Sequence, residues 1–203
     1  MPRTRKVMPE TAIQNAMKLF WESGFNSTST RQIETKTGIT RFTLQKTYGG
    51  KKQLFLEALD LYLDIFKNNN SLNLTNANLD TIITWFEARS EPNHVFETSC
   101  FGCLLLNSAV EFGGKDAHIN KRVNRFYTQL RSGFYNTLNT AQQNGNMADN
   151  IDINAMSEIL LSAAIGQNII IRSANNNKAG KKTANSIRSL INSWQSKPII
   201  NTK

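Results

Sequence analysis

Apolar residues recur along this chain at the spacing of an α-helix, and glycine marks most of the points where that spacing stops. Ile13, Ala16, Met17 and Phe20 follow the i, i+3, i+4, i+7 pattern of one helix face. Proline occurs only at positions 2, 9, 92 and 198, so long stretches contain no strong helix breaker. No two-residue alternation persists, as a half-buried strand would require. The chain is therefore predicted to be all-α, with about nine helices.

Capping residues and an asparagine-rich segment divide this helical pattern. Ser29 followed by Gln32 predicts a capping box, and Thr40 predicts the N-cap of the next helix. Residues 68–78 are rich in Asn and Ser, offer little to bury and are predicted to form a loop. Val110 is placed on the inward face of its helix. The predicted helices cover about residues 9–23, 29–36, 40–47, 51–66, 79–89, 102–112, 116–143, 153–173 and 181–195.

Positive charge is concentrated at the start of the chain. The whole sequence carries a formal net charge of +9, and its first 55 residues hold ten basic and three acidic side chains. The cations begin with Arg3, Arg5 and Lys6, ahead of the first predicted helix. A basic N-terminal module joined to a near-neutral remainder suits binding to the phosphates of nucleic acid. Charge alone leaves open a solvated face that binds nothing.

The segment over residues 29–47 has the sequence shape of a helix-turn-helix. Gly38 suits the tight turn, and Ile33, Ile39 and Leu44 form a small core that sets the crossing angle. The second helix of such a motif enters the major groove, where Arg can read guanine, Gln can read adenine and Phe can pack on a thymine methyl. An αα-corner with exposed polar residues fits the same spacing. The candidate contacts to bases and phosphates are Thr28, Ser29, Thr40, Arg41, Phe42, Thr43, Gln45, Lys46 and Lys51.

A wider pattern surrounds this motif. It comprises Ala16, Leu19, Phe20, Gly24, Phe25, Thr28, Ser29, Ile33, Gly38, Ile39, Thr40, Thr43, Leu44, Tyr48, Lys51 and Leu54. In these residues the chain resembles the N-terminal domain of TetR/AcrR-family transcriptional regulators. The resemblance implies a three-helix DNA-binding domain, a helical ligand-binding domain and a homodimer formed largely by the last two helices. It also adds Tyr48 to the candidate DNA contacts.

The resemblance and the helix pattern together divide the chain. We place the helix-turn-helix DNA-binding domain at residues 1–50. The helical effector-binding and dimerisation domain is placed at residues 51–203, of which residues 51–67 form the connecting helix.

Two residues of the predicted recognition helix depart from the family pattern. The family usually has a small residue at the position of Phe42 and a tyrosine at the position of Gln45. The small residue lets the backbone approach DNA closely, and the tyrosine commonly touches phosphate. The operator of this protein is therefore not expected to follow those of its relatives.

The middle helices supply candidates for an effector pocket. Gly-Cys-Leu-Leu-Leu-Asn at residues 102–107, followed by Glu111, resembles the sensory domain in one branch of the family. Aromatic residues nearby suit a ligand pocket, although each of them suits ordinary bundle core as well. The effector is a small molecule whose identity the sequence leaves open. The candidate pocket residues are Trp85, Phe86, Phe101, Cys103, Phe126, Tyr127 and Phe134.

Cys100 and Cys103 form a C-x-x-C pair. No βαβ pattern accompanies it, as a thioredoxin-like enzyme would need, and no second pair completes a zinc site, so neither a metal nor an organic cofactor is expected. Cys103 falls at the start of a predicted helix, where the helix dipole favours the reactive thiolate. Regulators of the resembled type sometimes sense electrophiles or oxidants through such a cysteine. A buried, inert thiol is the alternative.

The predicted helix over residues 153–173 is apolar around much of its circumference. A monomer's surface helix needs only one apolar stripe, so we expect a second copy of the chain to cover part of this helix. The candidate interface residues on this helix and the last one are Leu161, Ile165, Ile169, Ile187, Leu190 and Ile191.

These observations predict a cytoplasmic, dimeric, sequence-specific regulator of transcription. We expect a repressor that a small-molecule or electrophile effector releases from a palindromic operator. The sequence has no Ser/His/Asp arrangement, paired carboxylates or phosphate-cradling glycine loop, so no enzyme is predicted. No apolar stretch approaches the roughly 18 residues of a membrane span, so no membrane partner is expected. Two alternatives stay open: a thiol-redox protein using Cys100 and Cys103, and a basic helical protein that binds nucleic acid without sequence preference.

Overall fold

Helices account for all the regular structure in the described part of the chain, which covers residues 9–73, 76–92 and 97–195 of a computed structural model. Nine α-helices lie in these ranges: α1 Pro9–Ser23, α2 Thr30–Thr37, α3 Arg41–Tyr48, α4 Lys51–Asn69, α5 Leu79–Ala88, α6 Leu104–Phe112, α7 Ala117–Gln143, α8 Ile153–Ala174 and α9 Lys181–Trp194. Short 3₁₀ helices occur at Ser71–Asn73, Glu97–Phe101 and Asn177–Gly180. The prediction of an all-α chain with nine helices is confirmed. Over the same ranges, no helix combines the length and apolarity that crossing a bilayer requires.

The two short helices α2 and α3 begin at the predicted caps. Ser29 Oγ accepts the Gln32 N–H at 3.2 Å, and Gln32 Oε1 accepts the Ser29 N–H at 2.8 Å. Thr40 Oγ1 accepts the Thr43 N–H at 3.2 Å. Gly38 ends α2 with φ at +73°, a left-handed conformation that a side chain disfavours. Because eight-residue helices are marginal alone, these caps and the packing beneath them fix the motif.

The chain divides into two compact units. Unit 1 comprises residues 1–69 and 101–126, and unit 2 comprises residues 70–100 and 127–203. This division differs from the predicted boundary after residue 50 because α4 packs along α1 and α3, and α6 packs on α1 and α4. Helical periodicity locates a helix and its apolar face, but it does not say which other helix covers that face.

A cluster of four phenylalanines joins α1, α4 and α6 in the core of unit 1. The ring centroids of Phe20 and Phe55 lie 4.9 Å apart in an edge-to-face arrangement. Phe25 lies 5.1 Å from Phe55 and 5.3 Å from Phe112. Such aromatic pairs contribute about 0.5–1.5 kcal/mol each beyond the area they bury. The C-terminal end of α6 is thereby held against α1 and α4, the helices that precede and follow the helix-turn-helix in the chain.

The carboxylate of Glu111, on the last turn of α6, binds the loop that follows α1. Its Oε2 accepts the Phe25 N–H at 2.9 Å, and its Oε1 accepts the Asn26 N–H at 2.6 Å. Gly24 allows this approach, because φ there is +79° and a Cβ would lie 3.2 Å from Glu111 Oε2. A charged acceptor therefore satisfies two backbone donors at the entry to the helix-turn-helix.

The core of unit 2 contains a second aromatic cluster. Trp85 and Phe86 of α5 lie 5.3 and 5.9 Å from Phe134 of α7, measured between ring centroids. Asn70 Oδ1 accepts the Trp85 indole N–H at 2.9 Å. Gln167 of α8 is buried and donates from Nε2 to the Phe86 carbonyl at 2.9 Å. In addition, α9 packs on both α5 and α8.

Two expectations about burial are wrong. The segment over residues 68–78 is packed rather than loose, since Asn70, Leu72 and Ala77 are buried and α4 itself continues to Asn69. Residues 74 and 75 of that segment lie outside the described ranges. Val110, expected to face inward, is 73% exposed. In both places the local pattern could not show which neighbouring element lies opposite, so it missed the cover over residues 68–78 and the lack of cover over Val110.

Replacing Glu111 with alanine is expected to destabilise the protein, because two backbone N–H groups lose a charged acceptor. Hydrogen bonds to a charged group contribute about 1.5–3 kcal/mol, and we expect the free energy of unfolding to fall by about that amount. Urea titration followed by circular dichroism, at a fixed protein concentration, measures this change. Val110→Ala, at the adjacent exposed position, should change stability by less than about 0.5 kcal/mol. Equal stabilities for the two variants would contradict the role given to Glu111.

Candidate DNA-binding site

A small buried core fixes the crossing of α2 and α3. Ile33, Ile39 and Leu44 are all buried, as predicted. The polar groups of the turn between the helices are satisfied internally: Thr37 Oγ1 donates to the Ile33 carbonyl at 2.7 Å and accepts the Ile39 N–H at 3.0 Å. A turn whose buried donors and acceptors are paired holds α3 at one angle to α2.

The opposite face of α3 is polar, cationic and open to solvent. Arg41, Phe42, Gln45 and Lys46 are exposed, as is the capping residue Thr40, while Thr43 is half-buried. Arg41 and Gln45 lie one helical turn apart, and so do Phe42 and Lys46, so each pair shares one strip of the surface. Guanidinium and carboxamide groups are the side chains that form paired hydrogen bonds to base edges. The face can therefore present two base-reading groups side by side.

Two predicted contacts, Thr28 and Tyr48, are buried instead. Thr28 Oγ1 donates to the Gly24 carbonyl at 2.6 Å, so this hydroxyl holds the loop after α1. Burial raises the pKa of the Tyr48 phenol, and the negative charge of Glu57 raises it further. Both side chains pack within the domain, so a phosphate contact of the Thr28 hydroxyl stays a prediction that would compete with its hydrogen bond to Gly24.

Ser29 and Lys51 are engaged in local contacts near the two ends of the motif. The Ser29 hydroxyl is exposed, but it accepts the Gln32 N–H and donates to Gln32 Oε1 at 2.8 Å. Lys51 Nζ lies 4.3 Å from the centroid of the Phe25 ring, at the first residue of α4. Burial lowers the pKa of Lys51, and the nearby charge of Glu111 opposes that shift. Lys51 thus places a cation beside the N-terminus of α4, where a phosphate would also meet backbone donors.

Further charges on the motif are mostly positive. Arg31 and Lys36 are exposed on α2, and Glu34 is the one acidic residue between Ser29 and Tyr48. Lys52, in contrast, is paired with Asp116 of unit 1 at 2.5 Å, which reduces its contribution to the field. Arg3, Arg5 and Lys6 lie outside the described residues.

Glu111 is the residue of this site to which the sequence assigned no role. Its position after the Gly-Cys-Leu-Leu-Leu-Asn motif was visible, but its partners lie 85 and 86 positions earlier in the chain. Neither helical periodicity nor capping chemistry reaches across such a separation. Only the packing of α6 on α1 and α4 brings the carboxylate to the loop.

The candidate effector residues divide between the two units. In unit 2, Trp85, Phe86 and Phe134 pack on one another, and Tyr127 is half-buried. In unit 1, Phe126 packs edge-to-face on Phe66 at 4.9 Å, Phe101 is half-buried, and Cys103 is buried at the N-cap of α6. Surface clefts of about 340 and 390 Å³ in unit 2 are lined by other residues, around Tyr135 and around Glu87. In the ranges the structure covers, no three His, Cys, Asp or Glu side chains group closely enough to hold a metal.

The candidate interface residues divide in a similar way. Leu161, Ile187 and Ile191 are buried within their own subunit, so they build the core of unit 2. Ile165 and Leu190 are half-buried, and Ile169 is 40% exposed. The outer surface of α8 also carries Ile159 and Ile170, which are 44% and 43% exposed. The available apolar surface therefore lies on α8 and is only partly the one predicted.

Two family profiles match the chain. The profile described as "Bacterial regulatory proteins, tetR family" covers residues 12–58, which include most of α1 and all of α2 and α3. The profile described as "Tetracyclin repressor-like, C-terminal domain" covers residues 77–187, more than half of the chain.

Individual relatives agree with these profiles. The chain is 26% identical over 180 residues to the uncharacterized HTH-type transcriptional regulator YezE of Bacillus subtilis (strain 168), a match that covers 85% of this chain and 90% of YezE. It is 23% identical over 165 residues to the HTH-type transcriptional repressor ComR of Escherichia coli (strain K12), covering 80% and 79% of the two proteins. The solved structure of a cysteine mutant of the TetR family regulator CifR, complexed with operator DNA, shares the fold with a TM-score of 0.77 at 17% identity, covering 95% of this chain and all of that one. The chain therefore belongs to the TetR family of bacterial transcriptional regulators, which are non-enzymatic proteins that bind DNA through an N-terminal helix-turn-helix.

Proposed function

We propose that this protein is a cytoplasmic homodimeric repressor that occupies a palindromic operator through α3 of each subunit and leaves it when an effector binds. The observation that carries this proposal is the exposed face of α3, a helix that is capped at its start and packed against the core on its other side. That face presents Arg41, Phe42, Gln45 and Lys46. Residues at the start of a recognition helix contact base edges, and flanking cations hold phosphates. ComR is named a repressor, and CifR has been seen on operator DNA, which supports the same assignment here.

Dimerisation follows from the outer surface of α8. Ile159, Ile169 and Ile170 expose apolar side chains on one helix, and exposed apolar surface of this kind suits an interaction site. A two-fold axis through this surface makes the same patch meet itself. The two α3 helices then read half-sites separated by one helical turn of DNA, about 34–36 Å.

Release of the operator requires an effector that distinguishes two arrangements of the dimer. It must bind the arrangement with incorrectly spaced α3 helices more tightly than the DNA-bound arrangement. A coupling free energy of about 1–3 kcal/mol lowers operator affinity about 5–150-fold. The rival interpretation, a basic helical protein without sequence preference, gives no protected footprint on any DNA.

The recognition helix is tested with Arg41→Ala. A footprint on the DNA flanking the protein's own gene first defines the operator, and fluorescence anisotropy then measures affinity for it. Loss of a base-reading Arg should weaken binding about 5–150-fold for each half-site, and the effects of the two subunits multiply, more for the operator than for unrelated DNA. Lys178→Ala removes an exposed cation from unit 2 and is the control that should leave affinity unchanged. If Arg41→Ala binds the operator as tightly as the control, α3 is not the recognition helix.

The interface is tested with Ile169→Glu. A carboxylate placed in an apolar interface is desolvated without a partner, so the variant should be monomeric by light scattering and should bind the operator poorly. Val110→Glu adds the same charge at another exposed apolar residue, on α6, and should stay dimeric. If the Ile169→Glu variant stays dimeric, the dimer interface does not lie on this part of α8.

Among possible effectors, an electrophile that modifies Cys103 has specific structural support. Cys103 is the N-cap of α6, at the positive end of the helix dipole. The same helix carries Glu111, whose carboxylate holds the loop after α1. Modification at one end of α6 can therefore disturb a contact of the helix-turn-helix at its other end. Because Cys103 is buried, its sulfur is reached only by a small reagent or when local unfolding exposes it.

Operator release by N-ethylmaleimide tests this effector class. The wild-type protein and Cys100→Ser should lose operator binding after treatment, whereas Cys103→Ser should keep it. Mass spectrometry of the treated proteins confirms which sulfur was alkylated. Equal release of all three proteins would rule out Cys103 as the sensor and would leave the repressor proposal intact.

A further inference from the structure

Phe42 is an exposed aromatic residue in a place where the fold does not need one. Its side chain is 71% exposed, and among the described residues only Val110 exposes a comparable fraction of a large apolar side chain. The core of the helix-turn-helix is complete without it, since Ile33, Ile39 and Leu44 fill the space between α2 and α3. Keeping a large apolar ring in water is unfavourable, and removing it would not leave a cavity.

The surroundings of Phe42 restrict the kind of partner that fits it. Arg41 precedes Phe42 in the sequence and Thr43 follows it. Lys46 Nζ lies 5.4 Å from the centroid of the Phe42 ring. A cation over one part of the ring steadies its orientation before a ligand binds. An apolar protein partner would have to desolvate Arg41 and Lys46, whereas a polyanion with an apolar group on its surface satisfies both charges. The charge around the ring therefore points to DNA and not to a protein surface.

We infer that Phe42 is a specificity-determining residue, which packs against the C5-methyl group of one thymine in each half of the operator. The inference rests on the proposed function and adds the group that the ring reads. On base edges in the major groove, the thymine methyl is the apolar group available for such a contact. Phe42 is the second residue of α3, within the first turn, from which recognition helices reach base edges.

The expected size of the effect follows from the burial of one methyl group. Removing that group should weaken binding about fourfold per half-site, and about 15-fold when both half-sites are changed. The effect is smaller than that of losing a paired hydrogen bond from Arg41, so it must be separated from other contacts at the same base pair. Replacing thymine with uracil makes this separation, because it removes the methyl group and keeps the hydrogen-bonding edge.

The experiment is a mutant cycle between protein and DNA. Operator duplexes carrying deoxyuridine at one symmetric pair of thymines at a time are titrated with wild-type protein and with Phe42→Ala, and anisotropy gives each affinity. We expect one thymine pair at which uracil weakens the wild type about 15-fold and leaves Phe42→Ala unaffected. Phe42→Leu, which keeps an apolar group, should retain part of the sensitivity. Val110→Ala, which also shortens an exposed apolar side chain, should retain all of it.

The possible results separate this inference from the proposed function. Specific binding by wild type that no uracil weakens overturns the inference and leaves the repressor proposal standing. The same is true if Phe42→Ala keeps the wild-type sensitivity at the critical thymine pair. Absence of any sequence-specific binding by wild type overturns both. Circular dichroism of Phe42→Ala should match wild type, since most of the removed ring is exposed to solvent.

Discussion

The hydrogen bonds from the Phe25 and Asn26 amides to the Glu111 carboxylate are the contact on which the placement of the recognition helix depends. After α1 the chain turns at Gly24, donates two backbone hydrogen bonds to the Glu111 carboxylate and reaches the N-cap of α2 at Ser29. This loop therefore positions the start of α2. From there α3 follows at an angle that the buried turn allows. Phe25, in this loop, packs on Phe55 and Phe112, and its hydrogen bond to Glu111 is partly buried. Partial exclusion of water strengthens a hydrogen bond to a charged group.

This arrangement makes α6 part of the DNA-binding unit in structural terms. The helix is only nine residues long, with Cys103 at its N-cap and Glu111 and Phe112 in its last turn. Under the proposed function, we expect a displacement at the first turn of this short, unbroken helix to move its last turn as well. Two charge-assisted hydrogen bonds and the aromatic contacts of Phe112 then have to lengthen together. Each of these hydrogen bonds contributes about as much as a typical allosteric coupling of about 1–3 kcal/mol, so weakening part of the set is sufficient for such a coupling.

The sequence was informative where the determining interactions are local. The caps at Ser29 and Thr40 and the turn at Gly38 involve residues three or four positions apart, and they predicted α2 and α3 to within a residue or two. Burial was harder to predict, because it depends on which helix lies opposite. For this reason Thr28, which was expected to face DNA, is buried, and Val110, which was expected to face inward, is exposed. Leu161 of α8 likewise lies in the core of its own subunit. The role of Glu111 was out of reach, since it depends on the packing of three helices.

The internal contacts of the motif also decide which side chains are left to read DNA. The hydroxyls of Thr28, Ser29 and Thr40 already serve the loop and the two caps, so a contact to DNA would compete with a contact that holds the motif together. Substitutions at these positions would change the fold and the affinity at once. The four exposed residues of α3 do not stabilise the core in this way, so their replacement should leave the position of α3 unchanged. They are Arg41, Phe42, Gln45 and Lys46. We therefore expect discrimination between operators to depend on residues whose replacement alters the surface and leaves the scaffold unchanged, which is the condition under which one fold can serve many operators.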